Sequence, residues 1–185
     1  MVQTIDAKAN ESNAAYIEVT ATDRSENRKT STQILKIDVT KPVVSITFDR
    51  EDGVNGRFYN ESRTATIHVQ ELNFDASNVE MAITRNGEPI EMPLSDWISE
   101  GSEHYVNVVF EQDGDYTMEV RCTDLADNES EIAQAEGFTI DRTAPQVTID
   151  LIPQAGMQVH SEGYYGCGVT AQITVTEHNF REDDF

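Results

Sequence analysis

Apolar and polar residues alternate at period two over short stretches of the chain, the spacing that turns one set of side chains to a core and the other to water along a β-strand. In the middle of the chain this alternation runs over 43–48, 64–69, 79–83, 104–110, 116–122 and 137–140. Turn-forming pairs separate the stretches: Asp52-Gly53, Asn86-Gly87, Glu100-Gly101 and Asp113-Gly114. Asn86-Gly87 suits a two-residue hairpin, because both residues tolerate positive φ. The pattern predicts six strands, a short seventh near 88–92, and a single helical turn at 73–78. No stretch carries a helical periodicity of useful length. Short strands with regular turns predict an all-β sandwich or barrel. The inward positions would be Ile46, Ile67, Val69, Ile83, Trp97, Val108, Tyr116, Val120 and Phe138.

The same phrases occur twice, in the same order. Tyr16-Ile-Glu-Val-Thr-Ala-Thr-Asp23 returns as Tyr116-Thr-Met-Glu-Val-Arg-Cys-Thr-Asp124, an offset of 100 at the tyrosines and 101 at the aspartates. Asp38-Val-Thr-Lys-Pro42 returns as Asp141-Arg-Thr-Ala-Pro145, an offset of 103. Thr66-Ile-His-Val-Gln-Glu-Leu-Asn-Phe74 returns as Gln172-Ile-Thr-Val-Thr-Glu-His-Asn-Phe180, an offset of 106. An offset that creeps upward by a few loop residues describes a duplicated unit about as long as an immunoglobulin domain. The expected division is then 1–38 as the last strands of one repeat, 39–141 as a whole repeat, and 142–185 as the opening strands of a third. Incomplete repeats leave strand edges and half a core uncovered.

Tyr116 follows Asp113-Gly114-Asp115 and opens a strand ending at Cys122. That placement matches a tyrosine corner, in which the ring packs inward and the hydroxyl bonds upstream backbone; it favours a sandwich over a barrel. Tyr16 is expected to hold the equivalent place in the first fragment. Trp97 reads as core filling rather than a ligand platform. The phrases Tyr116 to Asn128, Phe138-Thr-Ile-Asp-Arg-Thr-Ala-Pro145 and Val69-Gln-Glu-Leu-Asn-Phe74 resemble bacterial immunoglobulin-like repeats of large surface proteins and adhesins, notably of gut Gram-positive bacteria. The resemblance implies an immunoglobulin-like β-sandwich in tandem repeats, located outside the cell on the bacterial surface. It implies a stalk, or a face presented to a host glycoprotein or glycan, with neighbouring repeats of the same chain as further partners. Two alternatives stand beside it: a specific host-protein binder, such as an immunoglobulin-binding, superantigen-like domain, and an accessory module of a secreted glycan-degrading enzyme.

Composition narrows the choice. Of 185 residues, 38% are hydrophobic and 25% charged, which suits a globular protein rather than a disordered one. Acids outnumber bases 34 to 13, and the net charge of −21 argues against nucleic acid or anionic membrane as partners. The N-terminus lacks the profile of a signal peptide, so an export signal and a wall anchor are expected outside this stretch. The two cysteines, Cys122 and Cys167, fall at different positions of different repeats. Cys122 takes the place of Ala21 and should be small and buried; Cys167 should lie in an exposed loop, with no bond between them.

Acidic charge also draws cations. Asp124, Asp127 and Asn128 share an inter-strand loop, and Asp141 precedes a repeat junction; these are the candidate calcium ligands. A second acidic loop holds Asp49, Glu51, Asp52 and Asn55. Calcium needs six to eight oxygens, and neither spacing matches a dedicated calcium loop, whereas Asp and Asn are also ordinary turn residues. The expectation is therefore folding without a metal and no cofactor. Lys41, the one lysine of the central repeat, stands beside Pro42 at the junction rather than in a strand, which is unsuited to a lysine–asparagine cross-link. His68, His104, His160 and His178 are scattered, the first two expected on solvent faces. No nucleophile motif, histidine pair or phosphate loop occurs, so the sequence reads as non-enzymatic.

Overall fold

A computed structural model describes residues 11–155, 159–161 and 163–180. The chain divides into two compact units, Met1–Ile140 and Asp141–Phe185. In the first unit the strands are β1 (Ser12–Thr22), β2 (Arg28–Ile37), β3 (Val43–Phe48), β4 (Phe58–Tyr59), β5 (Arg63–Gln70), β6 (Val79–Arg85), β7 (Glu88–Ile90), β8 (Ile98–Glu100), β9 (Glu103–Phe110), β10 (Gly114–Cys122) and β11 (Ala133–Ile140). The second unit holds β12 (Gln146–Pro153), β13 (Val159–Ser161), β14 (Tyr164–Tyr165) and β15 (Val169–Thr176). No α-helix occurs among the described residues. A single 3₁₀ turn at Ala76–Asn78 falls within the predicted helical turn, its entry capped by the Asp75 side chain accepting from the Ser77 amide.

Two sheets share one apolar core between β3 and β11, an all-β arrangement compatible with a β-sandwich. One sheet runs β3-β5-β9-β8 and the other β4-β11-β10-β6-β7. The alternation seen in the sequence sets the inner face: Ala65, Ile67 and Val69 of β5 are fully buried, as are Val108 and Phe110 of β9. From the facing sheet come Tyr116, Met118, Val120, Phe138 and Ile140. Phe138 centres an aromatic group, edge-on to Phe110 at 5.0 Å and to Phe48 at 5.3 Å. Arg63 closes this end, its guanidinium 3.7 Å from the Phe48 ring centroid while Nε donates to the Arg50 carbonyl at 3.0 Å. The Tyr116 hydroxyl donates to the Gln112 carbonyl at 2.8 Å, the bond expected of a tyrosine corner.

Three expectations need correction here. The stretch holds nine strands rather than seven, the additions being β4 and β8. β4 is two residues long and pairs parallel with the end of β11, and β8 is three exposed residues, so neither is long enough to show alternation. Ile46 and Trp97 are half-buried against the core rather than inside it. Tyr16 is 65% exposed, not a second corner. Its phrase is one residue shorter than that of Tyr116, so along a regular strand Tyr16 falls on the face opposite Ile17, Val19 and Ala21. The Asn86-Gly87 hairpin is as expected, with φ of 54° and 82° and Arg85 opposite Glu88.

β1 and β2 form a two-stranded antiparallel sheet, and so do β12 and β15. In the latter, Val147 faces Val175, Ile149 faces Ile173 and Leu151 faces Ala171. The β3–β5 pair carries the same ladder: Val44 faces Val69, Ile46 faces Ile67 and Phe48 faces Ala65.

Candidate functional site

At one end of the central sheets, three carboxylates from separate segments converge. Asp38 leaves β2 toward β3, Glu71 directly follows β5, and Asp124 directly follows the β10 bridge region; one oxygen of each lies within 4.8 Å of the others. Glu71 and Asp124 are buried, and Asp38 is half-buried. Local backbone geometry holds each one. Asp124 folds its own loop, accepting from the Ala126 amide at 2.7 Å, the Asn128 amide at 2.9 Å and Asn128 Nδ2 at 2.8 Å. Glu71 accepts from the Asn73 amide at 2.7 Å. Asn73 Nδ2 then donates to Asp38, and Asn128 Nδ2 reaches the Asp38 carbonyl at 3.3 Å. The segment leaving β2 is thereby tied at two points to the loops of the next sheet pair.

Burial raises the Glu71 carboxyl above its ordinary value, the Asn73 amide offsets part of this, and the charges of Asp38 and Asp124 add to the rise. Behind Glu71 lies His104, stacked on Phe74 at 4.0 Å between ring centroids. Its Nε2 lies 2.7 Å from the Glu71 carbonyl oxygen and its Nδ1 2.8 Å from Ser99 Oγ. A carbonyl only accepts, so Nε2 carries the hydrogen toward Glu71, and the Ser99 hydroxyl, which can donate or accept, partners Nδ1. His104 is 5% exposed, which corrects the solvent-face expectation. His68 is half-buried on the outer face, 2.5 Å from Glu103 and stacked on Tyr105. The side chain of His160 lies outside the described residues.

The candidate calcium ligands separate. Asp124 and Asn128 belong to the converging group. Asp127 is exposed and occupies the left-handed turn position at φ 65°. Asp141 begins the second unit, where its Oδ2 accepts from Asn179 Nδ2 at 2.7 Å while Glu177 accepts from the Asn179 amide at 3.1 Å. Sequence reasoning missed Asp38 and Glu71. Both stand in the repeated phrases, as Asp38/Asp141 and Glu71/Glu177, and polar residues kept by a duplicated phrase were the available signal. In the second acidic loop, Asp49 accepts from the Thr64 amide at 2.8 Å, Asp52 pairs with Arg50 at 3.3 Å, and Asn55 turns at φ 53°; Glu51 is exposed. These are turn and ion-pair roles.

Chemically, the converged oxygens suit a hard cation or one proton shared among three acids. Three carboxylates are about half of what calcium takes, and most of their oxygens already accept internal hydrogen bonds. The ionisable side chains of the group are the three carboxylates themselves. Cys122, buried beside it, has its thiol pushed up to about 11 by burial and by Glu71 and Asp124, which makes it inert. Cys167 is half-buried rather than in an exposed loop. Lys41 is exposed and pairs with Glu131 at 3.5 Å. The chain matches no family model, no curated protein and no solved structure.

Proposed function

We propose that the chain is a non-catalytic stretch of tandem immunoglobulin-like repeats from an extracellular bacterial surface protein, spacing and presenting a face to a host glycoprotein or glycan. The observation carrying this reading is one joint that recurs at duplicated positions. Asp38 is bonded by Asn73 with Glu71 on the Asn73 amide, and Asp141 is bonded by Asn179 with Glu177 on the Asn179 amide. The Asp23–Asn27 turn likewise repeats the bonds of Asp124–Asn128. The reading is supported by the strand orders β3-β5-β9-β8 and β4-β11-β10-β6-β7, which can be aligned, β4 aside, with an A-B-E-D and a G-F-C-C′ sheet. A spacer needs joints that resist collapse. Tying the Asp38 segment at its carboxylate and carbonyl, with the buried, φ-restricted Pro42 four residues on, supplies one. The acidic surface keeps such an array soluble and self-repelling.

The repeat reading is tested by extension. The offset of 106 places Phe185 against Val79, so adding a second copy of residues 80–141 after Phe185 should complete the third repeat. Calorimetry should then gain a cooperative transition; an added stretch that stays unfolded would contradict the reading. For the presenting role, a pull-down from serum and mucus should retain a glycoprotein. Capture of immunoglobulin alone would favour the superantigen-like alternative.

A further inference from the structure

Asn-Gly pairs occur at Asn55-Gly56 and Asn86-Gly87, and both lie in exposed turns. All four residues adopt the left-handed region, with φ of 53° and 75° in the first pair and 54° and 82° in the second. Such a pair can modify itself. The Gly nitrogen, once it has lost its hydrogen, attacks the Asn side-chain carbon Cγ. The bond from Cγ to Nδ2 breaks, ammonia leaves, and a five-membered succinimide remains. Water then opens either carbonyl of the ring, giving aspartate or the isoaspartate whose main chain runs through Cβ and Cγ. Glycine favours the attack because no Cβ crowds its nitrogen. Water is the only co-reactant, and no electrons are transferred.

Hydrogen bonding separates the two turns. At Asn55 the attacking nitrogen is tied down: the Gly56 N–H donates to the Gly53 carbonyl at 2.8 Å, inside a loop closed by Val54 and Phe58. A bond made by the neutral N–H disfavours its ionised form, which is the nucleophile. At Asn86 it is the electrophile that is held. The Asp115 N–H donates to Asn86 Oδ1 at 2.9 Å, so Cγ is polarised and the charge that collects on Oδ1 during attack meets a donor already in place. The Asn86 N–H donates in turn to the Asp115 carbonyl at 2.7 Å, which fixes the turn against β10. Between the paired Arg85 and Glu88, the Gly87 N–H meets no acceptor among the described residues. We propose that Asn86 is a self-modification site of the folded protein, deamidating through a succinimide with Gly87, while Asn55 is spared. The product places a carboxylate in the turn that joins the edge strand β7 to β6, and its isoaspartyl form lengthens the main chain of that turn.

Peptide mapping by mass spectrometry tests this on the full chain, incubated folded and in denaturant at mildly alkaline pH, with fragmentation that separates isoaspartate from aspartate. In the folded chain, position 86 should convert at least about tenfold faster than position 55, the effect of about one hydrogen bond on a rate. In denaturant, where neither bond persists, the two positions should convert at similar rates. Hydroxylamine, which cleaves the main chain at a succinimide, should cut the folded chain between Asn86 and Gly87. A folded chain in which Asn55 converts as fast as Asn86 overturns the proposal. So does one in which Asn86 stays intact over the time that converts the denatured chain. A preference for Asn86 that persists undiminished in denaturant would come from the neighbouring side chains rather than from the bonds, and overturns it as well.

Discussion

The β3–β5 pair and the β12–β15 pair have the same register and nearly the same side chains, yet opposite surroundings. Val44–Val69, Ile46–Ile67 and Phe48–Ala65 stand against a second sheet; on the Val147–Val175, Ile149–Ile173 and Leu151–Ala171 rungs, Val147, Ile149, Leu151 and Ile173 are exposed. The comparison isolates what a strand pair owes to its own sequence from what it owes to the layer above it. Alternation and hydrogen bonding suffice to draw the ladder in both places. Stability comes from the apolar area that a facing sheet removes from water, and only one of the two ladders has that.

Matched substitutions should break the symmetry between them. Ile67→Ala should cost about 3 kcal/mol of unfolding free energy, the ordinary penalty for a cavity in a packed core. Ile173→Ala at the same rung should cost far less, about 0.5 to 1 kcal/mol, because nearly half of the residue is already in water. Chemical denaturation of both variants reads this directly, and equal losses would mean that β15 is covered. The tyrosines give a smaller contrast of the same kind. Tyr116→Phe should lose about 1 kcal/mol with the Gln112 bond, while Tyr16→Phe should be silent.

What the sequence revealed follows the same line. Period-two alternation located the long strands and nearly all of the core, because each β-strand writes its buried face into every second residue. His104 was legible by that rule and was misread: it shares parity with Val106, Val108 and Phe110, and its polarity suggested water where the structure gives it the Glu71 carbonyl and Ser99. β4 and β8 were illegible because two or three residues have no period. The acidic group was half legible. Asp124 and Asn128 announce their turn locally, but Asp38 and Glu71 join them from 86 and 53 residues away in the chain, a meeting fixed by the topology rather than by spacing.

That group supplies the finer tests. The carboxyl of Glu71 has its pKa raised on folding, so the stability it contributes is present when it is protonated and is lost as pH rises through its folded value. At neutral pH its ionised form is a cost. Glu71→Gln, which keeps the acceptor for the Asn73 amide, should therefore be more stable than wild type near neutrality, and the gap should narrow on acidification into the mildly acid range. Thermal midpoints of both chains across that range check the sign; a gap that widens on acidification would place the pKa shift in the other direction. The smallest effect is expected from chelation. The core between β3 and β11 is built from apolar side chains and includes none of the three carboxylates, so excess chelator should leave its melting midpoint in place, and a fall of many degrees would make the three carboxylates a structural cation site.

Amide exchange along β5 and β15 tests the central claim most directly, since it compares the two ladders rung by rung within one molecule. In the dilute chain, the bonded amides of β5 should exchange only with global unfolding, and those of β15 should exchange many times faster. In the chain extended by residues 80–141, the β15 amides should slow to within roughly tenfold of their β5 counterparts, as a completed repeat requires. If β15 is already as protected as β5 in the dilute unextended chain, or gains nothing from the extension, the two ladders are not the same element in two states of cover, and the account fails.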